Sequence, residues 1–245
     1  MCGRFAQITP VGDLVNIFEV TDGLPLQPRY NIAPTQDVAV VRVTDHQRQL
    51  ALLRWGLVPR WAKDLSIGFK TFNARSETVH EKPSFKAAFK SRRCLIPADG
   101  FYEWKRLPKG KLPHYIYRAD GRPLALAGIW ASWKDPDGGE RVATCSIITG
   151  RPNDLVADIH DRMPVILDPE RFSDWLARGP LTPGAAEALL VEGVEFFHGV
   201  GGQAHQPPHR VPRPDHRPLG QPAGRRVAAH GPDLGRVHGD QRDLT

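Results

Sequence analysis

The chain opens MCGRF, and its second residue raises a question of chemistry. Loss of Met1, which a residue as small as Cys2 permits, leaves an α-amine and a thiol on one carbon framework. The amine, with a pKa of about 8, and the thiol, at about 8.5, are both partly deprotonated near neutrality. Such a 1,2-aminothiol condenses with an aldehyde: the amine forms an imine, then the thiolate closes a five-membered thiazolidine. Among the standard residues only cysteine does this, and only at an amino terminus. The same group attacks acyl carbons, as the terminal nucleophiles of amidohydrolases do. The plain alternative is that some residue must stand second.

Three further stretches concentrate reactive side chains. In KTFNARSETV, Asn73 can orient an amine or carbonyl, and Arg75 can grip a phosphate with two parallel N–H donors. The competing view is a turn asparagine followed by a surface pair between Arg75 and Glu77. In PADGFYEWK, period-two alternation puts Tyr102 and Trp104 on one face and Phe101 and Glu103 on the other. A carboxylate beside an aromatic ring is open to desolvation, which raises its pKa toward the range of a general acid–base. An edge-strand glutamate in water is the simpler account. In ADIHDRMPVIL, His160 stands among Asp158, Asp161 and Arg162 before an apolar strand, a setting for a proton shuttle or for a structural histidine.

Aromatic and basic residues interleave in RWGLVPRWAKD, which supplies Trp55, Arg60, Trp61 and Lys63, with Trp104 as another flat surface. Such rings stack on unpaired bases at about 1–3 kcal/mol per base while cations hold the backbone. Trp55 and Trp130, within strand-like runs, are expected in the core. Cys94 and Cys145 lie in apolar stretches and read as buried small hydrophobes. Cys2 has no such apolar context.

These groups need elements to hold them. Short β-type runs begin at residues 38, 50, 94, 114, 123 and 142, separated by turn signals such as ADGR and DPDGG. Helical periodicity appears in VGDLVNIFEV, KPSFKAAFKSRR, PNDLVADIH and PERFSDWLARG; in the last, proline opens the helix and glycine closes it. Without a βαβ rhythm the chain is expected to be α+β, with a mostly antiparallel, barrel-like β core flanked by helices. A single domain is expected over residues 1–197. Residues 198–245 contain no aromatic, isoleucine or lysine, hold six of the ten histidines, and are expected to be disordered.

The bulk properties set the class. A net charge of +6 with pI about 9.4 suits a polyanionic partner without demanding one. No apolar run approaches the roughly 20 residues that cross a bilayer, and a secretory signal is not evident. Three cysteines without C-x-x-C spacing argue against a disulfide framework or zinc knuckle, so a cytoplasmic protein is expected.

Taken in order, MCGRF, RYNIAPTQ, RWGLVPRW, FNARSET, PADGFYEWK and IHDRMPVIL resemble the successive motifs of the SOS-response-associated peptidase (SRAP) family, whose members process abasic sites. The resemblance runs to about Phe197. It implies that Cys2, freed of Met1 by autoproteolysis or otherwise, cross-links to the ring-opened aldehyde of an abasic site in single-stranded DNA. Asn73 would then position the terminus, and Glu103 would serve as acid/base. His160 would donate the proton that helps open the sugar and assists β-elimination or reversal, a lyase activity. Arg4 and Arg75 would hold phosphates, Trp104 would line the pocket, Trp61 would stack at the single-strand/duplex junction, and Thr149 matches a polar position of the site. No metal or organic cofactor is implied. The expected partner is abasic single-stranded DNA, met on the nucleoid by a monomer.

The tail departs from the family's closing segment, as a frame-shifted reading of that segment would. An N-terminal-nucleophile amidohydrolase and a non-catalytic single-strand-binding module are the competing functions.

Overall fold

Alternation of apolar residues builds the long strands, and remote pairing builds the short ones. The computed structural model describes residues 2–21, 23–177, 179, 181 and 188. The segment 198–245, expected to be a disordered frameshift product, lies outside the described residues. In chain order the strands are β1 (Arg4–Gln7), β2 (Arg29–Ile32), β3 (Asp37–Thr44), β4 (Gln47–Trp55), β5 (Asn73–Arg75) and β6 (Arg93–Ala98). They continue with β7 (Gly100–Arg106), β8 (Lys111–Ile116), β9 (Leu124–Lys134), β10 (Arg141–Gly150) and β11 (Met163–Pro164). The helices are α1 (Val11–Phe18), α2 (Lys86–Ser91), α3 (Asp154–Ala157) and α4 (Phe172–Leu176), with 3-10 turns at Leu65–Lys70 and Pro169–Arg171.

Five strands close on themselves. β3 pairs with β4, β3 with β6, β6 with β9 and β9 with β10, all antiparallel. Parallel pairing of β10 with β4, Thr144 opposite Arg54 and Cys145 opposite Trp55, completes the barrel. The tight turn joining β3 to β4 has Asp45 and His46 both at positive φ (49° and 63°), the handedness that lets two twisted strands meet in a two-residue loop. β5 adds parallel to β10, and β11 antiparallel to it. A second, antiparallel sheet has the order β2-β1-β7-β8. The expected α+β class with a barrel-like core is what the structure has.

Neighbouring residues on a strand serve different cores. Val41 and Leu95 face α1, α2 and α4, packing with Leu14, Phe18, Phe89 and Trp175. Val40 and Ile96 point the other way, toward Phe5, Trp55, Phe101 and Ile147. β3 and β6 are thus covered on both faces, which is why they read as near-continuous apolar runs. Gln7 ties the two sheets: its amide nitrogen donates to the carbonyls of Ala39 (2.9 Å) and Pro97 (2.8 Å), and its oxygen accepts from Ala39 N–H at 3.1 Å. One glycine is demanded by closeness. A Cβ at Gly100 would stand 2.5 Å from the Tyr115 ring and 2.6 Å from the Ile116 carbonyl oxygen.

The helices are shorter than their apolar periodicity. PNDLVADIH yields only Asp154–Ala157, capped by Asn153 accepting from Val156 N–H; PERFSDWLARG opens as a 3-10 turn at Pro169 and ends at Leu176. Cys94 and Cys145 are buried, as is Trp55, while Trp130 is half-buried beneath the Arg42 guanidinium at 4.7 Å. Among the described residues no helix is long and apolar enough to cross a membrane.

Arg93 closes the helical side. Buried, it donates to the carbonyls of Trp175 (2.6 Å), Phe89 (2.9 Å), Lys90 (3.0 Å), Gly179 (3.1 Å) and Ala177, so one guanidinium caps the ends of both α2 and α4. Arg93→Met strips those carbonyls of their donor and is expected to cost about 3 kcal/mol, a fall in Tm of about 6–12 °C by thermal denaturation. Arg93→Lys, with a single ammonium in place of a planar fork, is expected to recover less than half of that loss.

Candidate active site

The lead-in to β1, the inner face of β7, strand β5 and the loop after α3 converge where the two sheets meet. Cys2 is fully buried there, in the cluster that holds Phe5, Ile32, Trp55 and Cys145. Its surroundings are therefore apolar, against the expectation from its sequence neighbours, because they come from other strands. Burial foremost, then the charge of Glu103, pushes its thiol well above the usual range, so the sulfur is a neutral S–H lying 3.8 Å from the Arg4 carbonyl.

Asn73 holds this terminus. The Trp55 indole N–H donates to the Phe72 carbonyl at 2.8 Å, and Ile147 N–H to the same carbonyl at 3.0 Å, fixing the residue before Asn73. Asn73 Nδ2 then donates to the Cys2 carbonyl at 2.7 Å. Its Oδ1 is buried and accepts no hydrogen bond among the described residues. The turn-asparagine account does not hold, because Asn73 is in a strand opposite Ile147. Nor does Arg75 pair with Glu77: Arg162 takes that carboxylate with both terminal nitrogens, at 2.5 and 2.9 Å, holding it down at about 2.

Glu103 is not an edge glutamate. β7 lies between β1 and β8, and the side chain, 2% exposed, shares the inner face with Phe101. Desolvation raises its pKa to about 7 against the pull of the chain's amino terminus, with Asp161 adding to the rise. His160 Nε2 is 3.9 Å from Glu103 Oε2. The Arg162 N–H donates to His160 Nδ1 at 3.0 Å, so the neutral ring carries its proton on Nε2, the nitrogen that faces Glu103. Burial and the amino terminus lower the His160 pKa, and Asp161, 3.0 Å from Nδ1, opposes them. A carboxyl raised by burial thus faces an imidazole lowered by it, so the two compete for a proton instead of being locked as an ion pair.

The remaining candidates fall around this centre. Arg4, half-buried, donates to Asn31 Oδ1 at 3.2 Å and stands opposite Tyr102 across β1 and β7. Trp104, half-buried, is on the face of β7 opposite to Glu103; Arg75 is exposed at the end of β5. Thr149, fully buried, pairs with Arg75 across β10 and β5, and its carbonyl accepts from Arg162. Trp61 is 60% exposed, in the segment between β4 and β5. Two further residues were not singled out from the sequence. Phe69 is 63% exposed in the 3-10 turn between exposed Lys70 and Gly68; an aromatic flanked by lysine was its only signal. His114 stands opposite Glu103 across β7 and β8. Among the described residues no group of three His, Cys, Asp or Glu side chains is placed to hold a metal ion.

Comparison with known proteins bears on this arrangement. The family model "SOS response associated peptidase (SRAP)" matches residues 1–196. The chain belongs to the SRAP family. Among relatives, the abasic site processing protein YoqW of Bacillus subtilis is 45% identical over 194 residues, covering 78% of this chain and 86% of that protein. YoaM of the same organism, also named an abasic site processing protein, is 43% identical over 195 residues with the same coverages, 78% and 86%. A crystal structure of a protein from Bacteroides thetaiotaomicron superposes with a TM-score of 0.74 at 28% identity, covering 81% of this chain and 91% of that one.

A buried acid held near 7 weakens this SRAP fold in alkali. Because its folded pKa lies above the unfolded value of about 4.5, its contribution is full in acid and lost as pH rises from about 4.5 to about 7. Glu103→Gln is therefore expected to raise stability by about 2 kcal/mol at pH 8 and to leave it nearly unchanged at pH 4. Thermal melts of both proteins at the two pH values check this.

Proposed function

We propose that this SRAP protein captures abasic sites in single-stranded DNA by forming a covalent thiazolidine through Cys2, as part of the response to DNA damage. The observation that carries the reading is the junction of Cys2, Asn73, Glu103 and His160 in one buried seam. The relatives named abasic site processing proteins share this family, which supports DNA with abasic sites as the substrate.

The chemistry follows from the geometry. Hydrolysis of the Met1–Cys2 peptide bond, consuming one water and releasing methionine, moves the terminal amine onto Cys2. The Asn73 Oδ1, otherwise unused, accepts one N–H of that amine and points its lone pair outward. The amine attacks the aldehyde carbon of the ring-opened sugar and water leaves as the C=N bond forms. The Cys2 sulfur then adds to that carbon, its S–H proton going to the imine nitrogen. A thiol held neutral by burial needs a base at this moment, and ionised Glu103 is beside it. His160, with its proton on the nitrogen facing Glu103, relays protons to the sugar oxygen when the ring opens and withdraws them in β-elimination or reversal.

An abasic site offers no base edge, so recognition rests on phosphates and stacking. Arg4 and Arg75 are placed for phosphates near Cys2, and Trp104 for the pocket rim. Trp61, with Arg60 and Lys63, makes an exposed platform for a neighbouring base. Thr149 contributes from beneath, holding the strand that presents Arg75.

The deciding experiment incubates the purified protein with a single-stranded oligonucleotide bearing one abasic site, followed by denaturing electrophoresis. A denaturation-resistant adduct is expected, absent in Cys2→Ala and slowed about 100-fold or more in Glu103→Gln. Trp61→Ala is expected to weaken the encounter by about 1–3 kcal/mol, and added salt to slow adduct formation without reversing it. Retention of Met1 in the intact mass, glutamine hydrolysis, or binding that salt fully reverses would each overturn the proposal.

A further inference from the structure

Glu103 has a second histidine beside it. β7 and β8 pair antiparallel with Glu103 directly opposite His114, and Phe101 opposite Ile116, so all four side chains lie on one face of the sheet. That face is the covered one: Phe101 and Ile116 are buried, Glu103 is 2% exposed and His114 5%. Side chains directly opposite on an antiparallel pair have Cβ atoms about 4.5–5.5 Å apart, within reach of an imidazole and a carboxylate. Both ring nitrogens of His114 are buried and neither has a hydrogen-bond partner among the described residues. A buried imidazole N–H without a partner costs about 1–3 kcal/mol, so such a group is retained where it is used.

We propose that His114 is a positioning residue for Glu103, donating a ring N–H to the carboxylate when it ionises and so setting the pH at which Glu103 can act as a base. The inference rests on the role given to Glu103 above. It answers a need that role creates. In the structure the carboxylate is favoured by the chain's amino terminus, a charge that departs with Met1; the charge of the Cys2 amine that replaces it is lost as that amine becomes an imine and then a ring nitrogen. The carboxylate must take the thiol proton at the stage when its cation has gone. His114 is a donor that the reaction does not consume. Burial, with Lys105 reinforcing it, keeps the ring neutral, so it donates without competing for the proton.

The other groups that act on the pair are accounted for by element. The amino terminus and the Cys2 thiol come from the lead-in to β1, Lys105 from β7, and His160 and Asp161 from the loop after α3; Arg106 acts on His160. Of these, the amino terminus, Cys2 and His160 change state or move protons in the proposed reaction, and Asp161 raises the Glu103 pKa. His114 is the remaining donor on the strand opposite.

The test reads Glu103 directly. Carbon-13 NMR of protein labelled at glutamate carboxyls, with the Glu103 resonance assigned by its loss in Glu103→Gln, gives its titration midpoint without any DNA. In His114→Phe the midpoint is expected to rise by one pH unit or more, and His114→Gln, which keeps an N–H donor, to recover at least half of the shift. The rate of adduct formation with abasic single-stranded DNA is expected to fall about tenfold at pH 7 in His114→Phe, with its rising limb displaced to higher pH by the same amount. Should His114→Phe fold poorly, His114→Leu gives the same comparison. A Glu103 midpoint that stays put in the folded variants overturns the proposal whatever the DNA does. Absence of any adduct with the parent protein overturns the function proposed above instead, and the midpoints still decide the role of His114.

Discussion

The hydrogen bond from Asn73 Nδ2 to the Cys2 carbonyl joins the barrel to the second sheet at the candidate site. Asn73 belongs to the barrel side through β10; Cys2 leads into the second sheet through β1. An amino terminus is ordinarily the freest part of a chain, and ordering it costs about 1–2 kcal/mol per residue in backbone entropy. Here the cost is met by complete burial of Cys2 and Phe5, by the Asn73 amide, and by Gln7, whose side chain spends both ends on barrel strands. Cys2 is thereby held in place by the fold alone. In the proposed reaction, a nucleophile so placed would convert an encounter into an effectively intramolecular step.

Fixing the terminus inside the protein has a consequence for every titratable group near it. Desolvation acts in opposite directions on acids and bases, and the seam holds both. It lifts Cys2 and Glu103 and lowers His160 and His114. One physical cause therefore favours the uncharged form of both the carboxyl and the imidazole. The Glu77–Arg162 pair shows the contrasting case on the rim. There the guanidinium outweighs burial and keeps the carboxylate ionised, while the same residue's backbone N–H sets the tautomer of His160.

How much of this was legible in the sequence divides by range. The long strands announced themselves by alternation, and the face shared by Phe101 and Glu103 followed from period two alone. The motifs in order also named the family. What was not legible came from distant pairing. β1, β2 and β5 have three or four residues each, too few for a pattern, and exist because longer strands offer them partners. Cys2 had no apolar neighbours in the chain, yet it lies in the buried cluster that holds Trp55 and Cys145. The partner of Glu77 stands 85 residues away rather than two. His114 in KLPHYI looked like any strand residue, and only the register across β7 and β8 brings it to Glu103.

The basic excess shows the same limit of composition as a guide. Many of the arginines are occupied within the fold: Arg93 by helix-end carbonyls, Arg118 by Asp120, Arg48 by Glu19, and Arg162 by Glu77. A net charge counts these equally with the cations that meet solvent. Exposed cations are spread over the described residues, Lys82, Lys86, Lys109, Lys134, Arg141 and Arg151 as well as Arg60, Lys63, Lys70, Arg75 and Arg106, with Arg4 half-buried. Two of these flank the most exposed rings, Trp61 and Phe69, while Arg4 is one residue from Cys2's immediate neighbour and Arg75 two residues from Asn73. Electrostatic attraction of this kind governs encounter and fades with salt, whereas a carbon–sulfur bond does not. In the proposed function this divides the labour: exposed cations and rings would decide how often a strand arrives, and the buried seam whether it leaves.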